Sequence, residues 1–189
     1  CWSLRTCPGA RARPRFIIAC ASAAESGSSG CFAWCSCSAA WPRSHGPIVE
    51  DVVLVLVGDG PSRAVIVTTA KVLGVTVHMP GAVPYRTVRE HLQSADAFCL
   101  PSCSEGSPKA LYEAMACGLP CAVSIGVPDE AAPAVRFAPS SVDEIRRSVA
   151  QALAHADTLG PAGRAYVEQH HDLGQTMAAE IAVCQGVAR

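Results

Sequence analysis

The sequence predicts an α/β fold: a Rossmann-like, doubly wound parallel sheet. Two observations carry that prediction. A continuous apolar run at residues 52–57 (VVLVLV) and shorter strand-length segments at 75–78, 97–100 and 121–124 alternate with segments of helical pattern. Unbroken apolar runs are typical of strands buried on both faces of a parallel sheet, and steady alternation with helices implies right-handed crossovers.

The elements follow in order. Residues 52–57 end in the turn Gly58-Asp59-Gly60-Pro61. Residues 63–73 read as a helix closed by Gly74, against the strand preference of VIVTT inside it. A short strand at 75–78 precedes Thr87-x-x-Glu90, a capping box that opens a helix to about Ser94. After the strand at 97–100, Ser107 is expected as the N-cap and Pro108 as the first residue of another helix. Beyond the strand at 121–124, Ser141-x-x-Glu144 caps a long helix toward His155. Two further helical segments fill residues 161–188.

Residues 1–46 differ from the domain expected at 47–189. They hold all three tryptophans, six of the eleven cysteines, one acidic residue (Glu25) and no lysine. Neither a helical nor a strand period persists in them, so they read as an irregular or disordered leader. Arg11, Arg13 and Arg15 before FIIACASAA resemble a secretion signal, but its apolar core spans only residues 16–19, against the usual ~7–15. Three tryptophans are unusual in a disordered segment. With only two lysines in the chain, the composition suits an out-of-frame stretch of a GC-rich gene, which would leave the sheet without its first strand. The chain does not begin with Met, as expected of a fragment or a processed product.

Composition excludes several classes. With 189 residues, 16% charged, and a net charge of −1, the chain lacks the basic excess of an electrostatic nucleic-acid binder. No apolar run approaches the roughly 20 residues of a membrane helix. Cys31, Cys35 and Cys37 lack the paired knuckles of a structural zinc site, with His45 the lone candidate fourth ligand, so no metal is expected. Cys99, Cys117 and Cys121 stand in apolar runs, as buried hydrophobes. His78, His170 and His171 carry no partner motif and read as ordinary surface or strand-end residues.

The chemistry concentrates in SEGSPKALYEAMACGLP, residues 104–120, where Glu105 and Glu113 flank a Gly-Ser-Pro turn. Ligands of doubly wound sheets bind outside the carboxyl ends of strands. Glu105 stands in a loop leaving such an end. The helix starting beside it aims the amides of Lys109 and Ala110 into the same crevice, an arrangement suited to phosphate. Carboxylates beside an anion site accept hydrogen bonds from hydroxyls, as an acidic residue does for ribose. Two of them around a phosphate cradle suggest ribose, diphosphate and hexose: a nucleotide-sugar. On the bland reading, Glu105 is a solvated loop residue, Glu113 a surface helix residue and Lys109 a solvated cation.

The segments LVLVGDGP, LGVTVHMPGAVP and SADAFCLPSCSEGSPKALYEAMACGLPCAVS resemble the C-terminal, donor-binding domain of GT-B glycosyltransferases, specifically the retaining family 4. The resemblance runs from about Val52 to the C-terminus, and Glu105-x7-Glu113 is its most specific element. It implies that Glu113 binds the ribose hydroxyls and that Glu105, at the catalytic centre, contacts the transferred sugar. It further implies that backbone around Gly106, Ser107, Pro108, Lys109, Ala110 and Leu111 holds sugar and diphosphate. Gly58 and Gly60 would join the donor site, and the turn at residues 79–83, with Gly81 and Val83, would lie beside the base. A UDP-, GDP- or ADP-hexose would then be transferred with retention to a sugar, lipid or other hydroxyl acceptor, without metal or other cofactor. The acceptor would be held by an N-terminal domain that residues 1–50 do not supply. The expected setting is the cytoplasm or the inner membrane face.

Rivals remain. Gly58-x-Gly60-x-x-Arg63 lacks the third glycine of a nicotinamide-dinucleotide fingerprint, and the next strand ends in His78, not an acid. A glycosidase needs its carboxyl groups roughly 5–9.5 Å apart, whereas eight residues of helix span roughly 12 Å. A catalytically inactive nucleotide-sugar-binding remnant is the third. Family members carry an Arg and a Lys in a GR…KG context before this region, and no such pair stands in residues 1–50. The usual glycine-rich loop after Ser124 is reduced to IGVPDE.

Overall fold

The computed structural model describes residues 15–18, 52–102, 105–138 and 142–187. Its strands are β1 (Arg15–Ile18), β2 (Val53–Val57), β3 (Thr76–Gly81), β4 (Ala97–Leu100), β5 (Cys121–Ser124) and β6 (Val135–Phe137). Its helices are α1 (Arg63–Leu73), α2 (Tyr85–Gln93), α3 (Lys109–Ala116), α4 (Val142–Ala154), α5 (Ala156–His170) and α6 (Leu173–Val187). The strands form one sheet in the order β3-β2-β1-β4-β5-β6, every pair parallel. That is the order of the doubly wound dinucleotide-binding fold.

Strand side chains alternate between faces, and each face has its own core. Leu54, Leu56, Ala97, Cys99 and Ala122 meet Ile66 of α1 and Ile145, Val149 and Ala152 of α4. Val55, Phe98, Leu100, Cys121 and Val123 meet Leu92 of α2 and Leu111, Ala114 and Met115 of α3. Every residue of β4 and β5 is buried, because helices cover both of their faces. Cys99 and Cys121 are core residues, and burial pushes the Cys121 thiol up; Cys117 is only half-buried.

β1 differs from expectation. The reading of residues 1–46 as a leader leaves a central strand with an open edge, yet Arg15–Ile18 fills that gap. Ile17 is in register with Val55 on one side and Phe98 on the other. Four residues of strand are too few to create a visible period, but two parallel neighbours supply ladders on both sides. The apolar core of the signal reading, residues 16–18, is part of β1; the other expectations for residues 1–46, including the cysteine reading, lie outside the described residues.

Helix starts also differ. α2 begins at Tyr85, two residues before Thr87, because the Pro84 carbonyl accepts the amides of Thr87 (2.8 Å) and Val88 (3.2 Å). α5 begins at Ala156, ahead of the expected start at residue 161, and carries Pro161 inside it. Ser141 lies outside the described residues, while Glu144 accepts the Ala138 amide at 2.9 Å. VIVTT is helical because Ile66 and Ala70, four apart, point into the core. β6 went unforeseen: a three-residue edge strand, in which Phe137 is buried.

α5 lies close against the end of α3. A Cβ at Gly160 would sit 2.4 Å from the Gly118 carbonyl oxygen, and one at Gly163 would sit 3.1 Å from Met115 Cγ. Only glycine permits this approach at position 160.

Candidate functional site

In this strand order the chain winds outward from β1 in both directions, so the crevice forms between the carboxyl ends of β1 and β4. The loop that leaves β4 there contains Glu105. Buried Ser124, the last residue of β5, donates its hydroxyl to the Ser102 carbonyl and ties the loop's start to the neighbouring strand. Glu105 is half-buried, Gly106 and Ser107 are exposed, and Pro108 is buried.

The N-terminus of α3 sits one residue later than the sequence suggests. Pro108 is the N-cap, with φ −81° and ψ 64°, and no side chain caps the helix. Those angles form an inverse γ-turn, in which the Lys109 amide donates to the Ser107 carbonyl at 2.9 Å. The backbone of Ser107 thus does the work expected of its hydroxyl. Pro108's carbonyl accepts from Leu111 (2.9 Å) and Tyr112 (3.2 Å), so the amides of Lys109 and Leu111 are already occupied. Leu111's side chain is wholly buried.

Glu113 stands one turn after Lys109, half-buried on α3. Burial raises its carboxyl above the ordinary value, and the Lys109 charge opposes the rise. A partly desolvated carboxylate gains more from ligand hydroxyls than one already in water.

Gly58, Gly60, Gly81 and Val83 gather at the carboxyl ends of β2 and β3. Gly58 (φ +133°) donates its amide to the Gly81 carbonyl at 3.0 Å, and Gly81 itself is buried with φ +84°. Asp59 accepts the Gly60 amide at 2.9 Å. This group and the Glu105 loop stand at the same end of the sheet, β2 and β4 being two strand spacings apart, about 10 Å.

Sequence reasoning missed a polar cluster beside the β5 end. Asp129, at φ 71°, accepts hydrogen bonds from Tyr112 (2.9 Å) and Tyr166 (2.6 Å). His171 Nε2 lies 3.5 Å from the same carboxylate, and the His171 ring stacks on Tyr112 at 3.7 Å. Arg136 donates to the Asp129 and Val127 carbonyls. Burial and the bond to Asp129 push Tyr112 up to about 12. The bond to Asp129, then burial, push Tyr166 up to about 12. Burial alone would raise Asp129, but the hydrogen bonds from Tyr166 and Tyr112 and the neighbouring His171 ring outweigh it and hold the carboxyl below its ordinary value. His171 therefore has partners, contrary to its ordinary surface reading. Asp tolerates left-handed backbone better than most residues, and that is the one local signal Asp129 offers.

A groove of about 470 Å³ lined by Val135, Gln151, His155 and Leu159 opens at the other end of the sheet, beside the start of β6. It shares no residue with the crevice.

Residues 39–164 match the family model described as glycosyl transferases group 1. The chain belongs to the group 1 glycosyl transferases. The matched span contains both glutamates, both glycine turns and Asp129, and it crosses the expected boundary at residues 46 and 47. Over 66 residues the chain is 39% identical to a teichuronic acid biosynthesis glycosyltransferase of Bacillus subtilis (strain 168), 35% of this chain and 15% of that protein. It is similar in structure to sucrose-phosphate synthase of Thermosynechococcus elongatus, with TM-score 0.75 and 18% identity over 94% of this chain and 46% of that one. Anabaena HepE in complex with UDP and glucose aligns with TM-score 0.72 and 16% identity, over 90% of this chain and 49% of that one. This group 1 chain therefore spans about half the length of those two structures, and the shared architecture is that of a GT-B C-terminal domain. Among the described residues, no helix of the transferase is long and apolar enough to cross a membrane.

Proposed function

We propose that this chain is the donor-binding half of a retaining, family 4 hexosyltransferase using a nucleoside diphosphate-hexose. One observation carries the reading: the loop with Glu105 and the start of α3 lie at the topological switch point of the sheet. Glu113 takes the ribose hydroxyls, Glu105 the hydroxyls of the sugar, and the backbone of Gly106, Ser107 and Ala110 the diphosphate; the Lys109 amide, expected to face the crevice, is already bonded to the Ser107 carbonyl. The HepE complex with UDP and glucose, on the same fold, is consistent with such a donor. The C1–O bond to the diphosphate breaks as a bond from C1 to an acceptor hydroxyl oxygen forms on the same face. The hydroxyl proton passes to the departing phosphate. Neither glutamate is a nucleophile, and the protein's part is positioning and charge stabilisation. The acceptor, a sugar, lipid or other hydroxyl compound, is met in the cytoplasm or at the inner membrane face.

Calorimetry with UDP, GDP and ADP tests the donor assignment. At least one should bind, and Glu113→Ala should weaken it more than removal of any histidine. No heat with any of the three, from a folded sample, refutes the reading. A second reading, binding without turnover, is favoured by the lack of an Arg/Lys pair in a GR…KG context within residues 1–50. Turnover of a sugar nucleotide by the purified chain excludes it.

A further inference from the structure

Where a dinucleotide fingerprint would have its third glycine, this chain has Arg63, the first residue of α1. Its guanidinium spans the two turns at the β2–β3 corner. Nη2 donates to the Met79 carbonyl at 2.8 Å, and Nη1 lies 3.7 Å from Asp59 Oδ1. Nη1 is buried without a hydrogen-bond partner and sits 3.7 Å from where a Cβ of Gly81 would stand. β3 is an edge strand whose register with β2 shifts between Val55 and Val57. Its carboxyl end is held by the Val57–Gly81 pairing, the Gly58–Gly81 amide bond, Met79 against the core, and Arg63.

We propose that Arg63 is the positioning residue for the base end of the donor crevice, fixing the turn at residues 79–83 against the Gly58–Gly60 turn. This rests on the nucleoside diphosphate reading above. The part of the ligand served is the purine or pyrimidine, not the diphosphate. Asp59 partly neutralises the guanidinium and the Met79 carbonyl occupies one edge, so Arg63 offers little free charge to a phosphate. The phosphate-side loop leaves β4, two strands away.

The test uses the whole chain as wild type, Arg63→Ala and Arg63→Lys, each checked for folding by circular dichroism. Calorimetry is run with UDP, GDP, ADP and inorganic pyrophosphate, and amide hydrogen exchange is followed at Gly58. Arg63→Ala should weaken the tightest nucleoside diphosphate about tenfold, the scale of one lost charge-assisted hydrogen bond, with pyrophosphate unchanged within about twofold. Arg63→Lys, still able to reach the Met79 carbonyl, should recover to within about threefold of wild type. The Gly58 amide should exchange faster in Arg63→Ala. Unchanged nucleoside diphosphate binding, or an equal loss of pyrophosphate, overturns the base-end role. Unchanged Gly58 exchange overturns the clamp itself, whatever binds. A wild type that binds no nucleoside diphosphate, with faster Gly58 exchange in Arg63→Ala, keeps the clamp but removes its ligand along with the donor reading.

Discussion

Gly160→Ala should destabilise this protein, although alanine is the better helix former. Replacing glycine in a helix interior ordinarily gains about 1 kcal/mol. Here the new Cβ would stand 2.4 Å from the Gly118 carbonyl oxygen and 3.3 Å from its carbon, the first about 1 Å inside ordinary contact. Gly118 cannot swing away cheaply. Its own φ is +75°, its amide bonds Met115 at 2.8 Å, and the next amide, of Leu119, bonds Ala114 at 3.1 Å. Relief must come from moving α5 off α3, an overpacking cost of about 1–3 kcal/mol that exceeds the propensity gain at its upper end. A 2.4 Å approach to fixed backbone puts the cost at that upper end, about 2–3 kcal/mol, so the expected net loss is about 1–2 kcal/mol. Gly163→Ala is the control. Its Cβ would meet Met115 Cγ at 3.1 Å and Met115 Cβ at 3.3 Å, approaches that a shift of a few tenths of an ångström relieves, so that variant should lose less stability than Gly160→Ala. Urea unfolding followed by circular dichroism reads both. A Gly160→Ala protein as stable as wild type, or more stable, would show that α5 does not lie against Gly118.

Four further outcomes follow from the geometry. Ile17→Pro removes a backbone donor from a strand paired on both sides; a loss of about 3 kcal/mol or more is expected, and an unaffected unfolding midpoint would remove Arg15–Ile18 from the sheet. Asp129, held below its ordinary value, contributes stability above its unfolded pKa that is lost as pH falls through its folded one, so Asp129→Asn should flatten the acid limb of the stability profile. Tyr112 and Tyr166, raised to about 12, act oppositely: their contribution is complete below pH ~10 and is lost as pH rises toward 12, and a Tyr112→Phe, Tyr166→Phe protein that keeps the full alkaline limb would refute the cluster. Glu113 is raised by burial, so its ionisation opposes folding above its unfolded pKa; Glu113→Gln should leave stability at pH 7 equal or slightly higher while nucleotide binding falls, and lost stability with binding intact would reverse its assignment.

What could be read from the sequence divides along the range of the forces involved. β2, β4 and β5 were legible because burial on both faces leaves a continuous apolar run, written wholly within the strand. The loop carrying Glu105 was legible for the same reason: its place is fixed by the strand it leaves. The N-terminus of α3 missed by one residue, because the choice between a serine hydroxyl and a γ-turn at Pro108 depends on backbone geometry that a capping pattern does not encode. β1 was illegible because four residues carry almost no period, and their stability comes from two neighbours far along the chain, β2 and β4. The Asp129 cluster is the extreme case. Tyr112, Asp129, Tyr166 and His171 are spread over α3, the β5–β6 loop, α5 and the residue after it, and no local pattern joins them. Yet this cluster, the Gly160–Gly118 approach and the packing of Tyr166 and Val167 on the core join α5 to α3, the helix that carries Glu113. The residue types of the candidate site are thus local and readable, while the contacts that hold them in place are long-range, and substitutions at Gly160 or Asp129 should reach Glu113 without touching it.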